Sequence, residues 1–87
     1  MKIITKINIP LSYSIGGMSL NDGSKFLHGE KFNNSIDLWF ESDQSQILVA
    51  RTYQVLATGW YVPMNQTHLV TIVDNITGSS YHVYVYA

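Results

Sequence analysis

Apolar and polar residues alternate along this chain with a period of two, and this feature restricts its fold more than any other. Ile3, Ile7 and Ile9 share one side of an extended segment, which Pro10 ends. The same alternation recurs over residues 26–32, 36–41, 68–73 and 81–86. No segment keeps the i, i+3, i+4, i+7 spacing of an amphipathic helix. The sequence therefore predicts an all-β protein.

Turn-forming residues separate these segments and set the expected strand number. Asn33-Asn34 favours a tight hairpin because Asn tolerates positive φ. We also expect a short strand within residues 12–15 and 18–20, and a bend or bulge in the long run 46–58. Consecutive strands should pair antiparallel as a meander. The predicted fold is a single small antiparallel sandwich or partly open barrel of six to seven strands, formed by one domain over residues 1–87.

One face of each predicted strand is assigned to the hydrophobic core. A slip of one residue would invert every assignment, since neighbouring side chains in a strand point to opposite faces. The predicted core residues are Ile7, Ile9, Phe26, Leu38, Phe40, Val49, Val55, Val70, Ile72, Val83 and Val85.

Composition excludes several classes of protein. Hydrophobic residues make up 46% of the chain and charged residues 13%, which is opposite to the composition of a disordered segment. A net charge of −1 with five basic residues argues against nucleic-acid binding, because phosphate contacts need a basic stripe. The absence of cysteine excludes disulfides, thiolate zinc sites and cysteine nucleophiles.

No segment of the sequence has the pattern of a targeting signal or a membrane-spanning helix. Lys2, Lys6 and Asn8 interrupt the first apolar segment, so it does not resemble a signal peptide, and no apolar run approaches the length of a spanning helix. We therefore expect no membrane contact and a cytoplasmic location. Asn33, Asn65 and Asn75 begin N-x-Ser/Thr triplets, which we interpret as turn asparagines.

The residues that carry enzyme chemistry do not form a recognisable set. His28 and Glu30 could share one strand face, but a metal site would need His68 or His82 to join them. Asp37 and Glu41 are about 13 Å apart along a strand, too far for paired-carboxylate hydrolysis. No Gly-x-Ser-x-Gly elbow or phosphate-binding loop occurs. We predict no catalysis, no metal and no cofactor.

Aromatic residues, at 13% of the chain, are the main candidates for binding, since Tyr and Trp are enriched at interfaces. The alternative is that they only fill the two sides of a thin sheet. The candidate binding residues are Trp39, Arg51, Tyr53, Trp60, Tyr61, His82, Tyr84 and Tyr86.

Four short pieces give the chain a resemblance to a known family. They are the basic and β-branched opening of residues 2–11, the Gly-Ser-Lys-Phe-Leu segment leading to Leu38-Trp39, the Ala57-Thr58-Gly59 corner, and Tyr81-His82-Val83-Tyr84. Together they resemble a family of small tailed-bacteriophage proteins of unknown function. Members often carry a Gly-Thr-Gly-His-Pro-like corner where this chain has Trp60, so a histidine-based role there is not supported. The resemblance implies a viral origin and a β-rich fold.

Three functions are compatible with these features. The first is a non-enzymatic phage protein that binds a host bacterial protein, such as a defence or transcription factor, in the host cytoplasm and inhibits or redirects it. The second is an oligomeric sponge for a small nucleotide, with Tyr and Trp stacking on the base and a lysine or Arg51 on the phosphates. The third is a structural component of the virion.

Self-association is expected because a core of this size, without disulfides or metal, is only modestly stable. We predict a homo-oligomer, most simply a dimer. Residues 81–87 are the predicted contact, because this run contains no Lys, Glu or Pro that would protect a sheet edge.

Overall fold

The structure, a computed structural model, describes residues 1–11 and 17–86. The predicted strand at residues 12–15 lies outside the described residues. Seven strands are present, as the alternation predicts. They are β1 (Lys2–Pro10), β2 (Gly17–Asn21), β3 (Lys25–Phe32), β4 (Ser35–Asp43), β5 (Leu48–Ala57), β6 (Gln66–Val73) and β7 (Ser80–Tyr86).

The strands form two antiparallel sheets that pack as an open sandwich and do not close into a barrel. Sheet A has the order β1-β4-β3, and sheet B has the order β2-β5-β7-β6. The prediction of an all-β sandwich is therefore confirmed. In the described part of the chain, no helix is long and apolar enough to cross a membrane.

The predicted meander is wrong, because only two pairs of consecutive strands are neighbours. These are the β3–β4 hairpin, whose turn holds Asn33 at a φ of 53°, and the β6–β7 hairpin. The turns after β2 and β4 instead carry the chain to the opposite sheet. They lie side by side, and Asp22 N donates a 2.7 Å hydrogen bond to Ile47 O. Crossing between layers lets the apolar face of each sheet cover the other.

The core lies between the two sheets and largely matches the predicted set. Of the predicted residues, seven are buried and Phe26, Val70 and Val85 are partly buried against them. Val49 is an exception. It is half-buried and lies where β5 pairs with β2, beyond the stretch that pairs with β7. Leu20, Ile36 and Tyr53 also belong to this core, whereas Leu56 is buried outside it.

Two β-bulges change the faces that simple alternation predicts. The register of β3 against β4 shifts between Phe26 and His28, and that of β6 against β7 shifts between His68 and Val70. Each shift adds one residue to a strand, so the side chains before and after it do not follow one period. Phe26 and Val70 therefore face the core, whereas His28 and His68 lie on outer faces. The registers of β5 show no such shift, so the bulge expected in residues 46–58 is not found there.

The position of β7 corrects the prediction for the C-terminal run. β7 lies between β5 and β6, with both of its edges hydrogen-bonded, so it is not an edge strand. The alternation that made it a candidate edge is also what a central strand needs, since Val83 faces the core and is fully buried. The edge strands are β1 and β3 in sheet A and β2 and β6 in sheet B.

Candidate functional site

The outer face of sheet B carries a chain of hydrogen bonds that joins two histidines. His68 Nε2 lies 2.8 Å from Thr71 Oγ1, which lies 3.0 Å from His82 Nδ1. His82 Nε2 is in turn 2.9 Å from Thr58 Oγ1. The bulge in β6 is what brings His68 onto this face, where its ring packs edge-on against Tyr84 at a centroid distance of 5.3 Å. Both rings are therefore held in fixed orientations.

Tyr86 belongs to a second polar group on the same face. Its hydroxyl donates to Gln54 Oε1 at 3.2 Å, and Gln66 Nε2 donates to the same oxygen at 2.6 Å. These three side chains come from β7, β5 and β6, so they tie the strands of sheet B together. Part of the role of Tyr86 is therefore structural.

The segment that follows β5 folds back over this outer face. Leu56 pairs with His82 across the sheet and so points away from the core, yet it is only 4% exposed. Trp60 and Val62 border the same shallow groove of about 200 Å³ as Leu56, His82 and Tyr84. Gly59, at a φ of 93°, and the bond from Trp60 N to Ala57 O form the turn that returns the chain.

Apolar side chains of this segment are strongly exposed. Tyr61 is 97% exposed and Met64 is 87% exposed, while Trp60 and Val62 are each about half exposed. We call the outer face of sheet B together with residues 58–64 the aromatic face. It combines large apolar side chains with polar groups that are already hydrogen-bonded to one another, which is the composition of a protein-binding surface.

A separate cleft of about 320 Å³ opens at one end of the sandwich, between the two sheets. We call it the end cleft. The turn between β2 and β3 forms one of its walls. Its lining residues are Leu20, Asn21, Asp22, Gly23, Ser24, Phe26, Phe40, Arg51, Tyr53, Leu69 and Val85.

Arg51 and Tyr53 meet in the end cleft because they are two residues apart on the inward side of β5. Tyr53 is 2% exposed, so it belongs to the core and reaches a ligand only from inside the cleft. Burial raises the pKa of its phenol above the ordinary value, and the positive charge of Arg51 acts against this rise. Arg51 is exposed at the cleft mouth.

Trp39 lies on the other side of the molecule, on the outer face of sheet A. The β3 bulge places His28 beside it, with ring centroids 5.6 Å apart, and Lys6 Nζ is 6.0 Å from the Trp39 ring. Glu30 lies 3.5 Å from His28 Nε2. The imidazole and the ammonium group flank the indole on neighbouring strands, so Trp39 is half-buried by its own sheet.

The eight predicted binding residues thus divide among three places. Trp60, Tyr61, His82, Tyr84 and Tyr86 belong to the aromatic face, Arg51 and Tyr53 to the end cleft, and Trp39 to sheet A. Sequence reasoning missed Met64 and His68 on the aromatic face and Asp22 in the cleft. The apolar run from Trp60 to Met64 could have indicated Met64 as a binding residue. The sequence could not indicate the position of His68, because that position depends on the bulge in β6. Among residues 1–11 and 17–86, no three His, Asp or Glu side chains are grouped to hold a metal ion.

Comparison with known proteins places the whole chain in one family. The family model of a domain of unknown function (DUF7352) matches residues 1–87. No curated protein and no solved structure gave a match.

Proposed function

The chain belongs to the DUF7352 family, and we propose that it is a non-enzymatic bacteriophage protein that binds a host bacterial protein through the aromatic face. Binding in the host cytoplasm would inhibit or redirect that protein. The phage origin is supported by the resemblance of the four sequence pieces described above. The partner class is a folded host protein with an apolar recess.

The exposed Trp60–Met64 segment is the observation that carries this proposal. Aromatic and Met side chains are enriched in the centres of protein interfaces, where a few of them supply most of the binding energy. Tyr61 and Met64 project almost wholly into solvent, while Leu56 and Tyr84 border the groove beside them. A partner covering this segment would bury side chains that otherwise remain exposed to water at a cost in free energy.

The hydrogen bonding of the aromatic face supports binding, because it fixes the rings of both histidines. Both ring nitrogens of His82 are already bonded to threonine hydroxyls, and His68 Nε2 shares one of them. This arrangement fixes ring positions, which lowers the entropy lost when a partner docks.

The test uses a photo-crosslinking amino acid in place of Tyr61, with the same substitution at Ile47 as a control. Ile47 is also strongly exposed, at 73%, but lies in the β4–β5 turn. Crosslinking in the host bacterium should join one host protein, at a fixed stoichiometry, to position 61 and not to position 47. That protein is then purified and titrated by calorimetry against the wild type and its variants.

Trp60→Ser with Tyr61→Ser should weaken this binding by about thirtyfold or more, since even a single hot-spot residue contributes about 2 kcal/mol. The matched control, Ile47→Ser with Leu48→Ser, should bind within about twofold of the wild type. Equal losses in the two variants would contradict the assignment of the surface. Crosslinking to no defined host protein by a folded variant would contradict the function.

Mass spectrometry of purified virions separates this function from a structural role. A host-directed protein should be absent from washed particles. Its presence at a fixed copy number per particle would instead favour a virion component and overturn the proposal.

A further inference from the structure

We propose that the end cleft binds a small aromatic zwitterion of the class of a free aromatic amino acid. This site is separate from the aromatic face, so it does not depend on the proposed function. Three kinds of group in the cleft point to this ligand chemistry: two opposite charges, a phenol hydroxyl and an aromatic floor.

The charges are the first observation. The Arg51 guanidinium and the Asp22 carboxylate both border the cleft. Neither takes part in the ion pairs found among residues 1–11 and 17–86, either with each other or with another group. A ligand with one carboxylate and one ammonium group would pair with both. A ligand with only a negative charge would be repelled by Asp22, and a ligand with only a positive charge would be repelled by Arg51.

The floor of the cleft supplies the apolar contact. Phe26 and Phe40 pack edge to face, with ring centroids 5.6 Å apart and an interplanar angle of 69°. Phe40 and Tyr53 continue the row at 6.3 Å and 55°. A further ring would extend this array in the offset or edge-on geometry that aromatic pairs prefer. Leu69 and Val85 border the same space.

The Tyr53 hydroxyl is the third group. In the described part of the chain it makes no hydrogen bond to another residue, and its oxygen keeps access to the space of the cleft although the residue is only 2% exposed. Since burial raises the pKa of this phenol, it remains a proton donor at neutral pH and would donate to the ligand carboxylate.

The volume of the cleft sets the size of the ligand. At about 320 Å³ it is at the lower end of the range of about 300–1,000 Å³ for small-molecule sites. One ring system with a short charged chain fits this space better than a nucleotide with its sugar and phosphates.

Three probes with one ring each test the proposal, and NMR titration of the ¹⁵N-labelled full chain measures their binding. L-phenylalanine carries both charges, 3-phenylpropionate only the carboxylate, and 2-phenylethylamine only the ammonium group. L-phenylalanine should bind with the lowest Kd, and the shifted resonances should include residues of the cleft lining. Arg51→Gln should raise the Kd for L-phenylalanine and 3-phenylpropionate by about fivefold, the scale of one solvent-exposed ion pair.

Asp22→Asn gives the discriminating result. It should raise the Kd of L-phenylalanine and of 2-phenylethylamine by about fivefold, and it should not raise the Kd of 3-phenylpropionate. Arg51 and Asp22 are exposed, so both variants should fold as the wild type does. Lys6→Gln and Glu30→Gln remove the same charges outside the cleft and should change no Kd. The proposal is overturned if no probe gives saturable shifts at millimolar concentration, if all three bind equally, or if the shifts map outside the cleft.

Discussion

Leu38 shows how single residues hold the two sheets together. It is fully buried on β4, and its Cδ2 atom would lie 3.1 Å from a Cβ placed at Gly29 on the neighbouring strand. Ile72 Cδ1, from sheet B, would lie at the same 3.1 Å from that Cβ. Glycine at position 29 is therefore what allows β3 and β6 to approach, and Leu38 fills the space beside them.

Leu38→Ala should accordingly lower the free energy of unfolding by about 2–5 kcal/mol, because the tightly packed site cannot collapse around the cavity. Urea titration measures the change. Ile4→Ala is the control, since Ile4 is 68% exposed on the outer face of the same sheet, and it should cost no more than about 0.5 kcal/mol. A neutral Leu38→Ala would contradict the packing described for the core.

Tyr53 predicts how stability depends on alkaline pH. Its folded pKa is raised by burial, so between the unfolded value near 10 and the folded value the native state binds more protons than the unfolded state. The stabilising contribution of the neutral phenol is present below pH 10 and is lost as the pH rises through the folded pKa. Tyr53→Phe should therefore make the alkaline decline in unfolding free energy shallower. A decline of unchanged slope would contradict a folded pKa of Tyr53 raised above its unfolded value.

At the scale of elements, the bulges determine where the sequence predicts the core-facing side chains of a strand correctly and where it does not. Alternation identifies β4 and the faces of Ile36, Leu38 and Phe40 correctly, because no residue interrupts its period. It fails at Leu27 and Leu69, since a bulge residue can be of any type and leaves no pattern. The order of strands is hidden for another reason. Pairing of β1 with β4, or of β5 with β7, depends on the contact of distant segments and not on local spacing.

Deleting Leu27 should be tolerated, because this residue is the extra one between Phe26 and His28. Its removal leaves Phe26 facing the core and His28 facing Trp39. Leu27 is 42% exposed, so little core is lost. Deleting Glu30 is the control. It moves every later residue of β3 to the opposite face, and should abolish cooperative unfolding in a thermal melt.

The register of β3 against β4 would be contradicted if removal of Leu27 abolished cooperative unfolding as removal of Glu30 does. Thermal melts monitored by circular dichroism, with the β signal as readout, compare the two proteins directly.

An ion pair joins β3 to the β6–β7 turn and should control stability in acid. Lys31 Nζ lies 3.2 Å from Asp74 Oδ2, and both side chains are largely buried. The hydrogen bond from Ile76 N, followed by the one from Lys31, lowers the pKa of the Asp74 carboxyl below its usual 3.8. A lowered folded pKa stabilises the protein above pH 3.8, and this contribution is lost as the pH falls through the folded value.

Asp74→Asn should therefore flatten the acid limb of a plot of unfolding free energy against pH, while it keeps an acceptor for Ile76 N. Asp37→Asn is the control, since Asp37 lies on the outer face of sheet A and accepts a hydrogen bond from Asn8 without joining the sheets. An acid limb that is unchanged in Asp74→Asn would contradict a role for this pair in holding the sheets together.

For the whole molecule, the free edges decide how copies of the chain would associate. Three edge strands carry protection: β1 has Lys2, Lys6 and Pro10, β3 has charged residues and a bulge, and β2 has five residues. β6 also has a bulge, but it is eight residues long and contains no Lys, Glu or Pro. We therefore expect a homodimer in which β6 of one copy pairs with β6 of the other, in place of the contact first assigned to β7.

Sedimentation equilibrium at high micromolar concentration should give the mass of two chains. Val73→Lys places a charge on a 55% exposed position of β6 and should shift the equilibrium to the monomer. Ile4→Lys adds the same charge at a more exposed position on sheet A and should leave the dimer intact. A monomeric wild type would contradict the predicted dimer. A dimer that withstands Val73→Lys would contradict the assignment of β6 as the contact between the two copies.

The central place of β7 also decides when the protein can fold during its synthesis. Ribosomes deliver the strands in order, at about 5–20 residues per second, and β7 follows the other six strands of the sandwich. Until Ser80–Tyr86 has been made, β6 lacks its partner strand and β5 lacks one of its two partners. Sheet B is therefore incomplete and cannot fully cover the apolar face of sheet A. Sandwiches with many distant pairings also fold slowly. The sandwich therefore stays open to chaperones and proteases until β7 is delivered, and a stop codon before Ser80 would remove a central strand of sheet B.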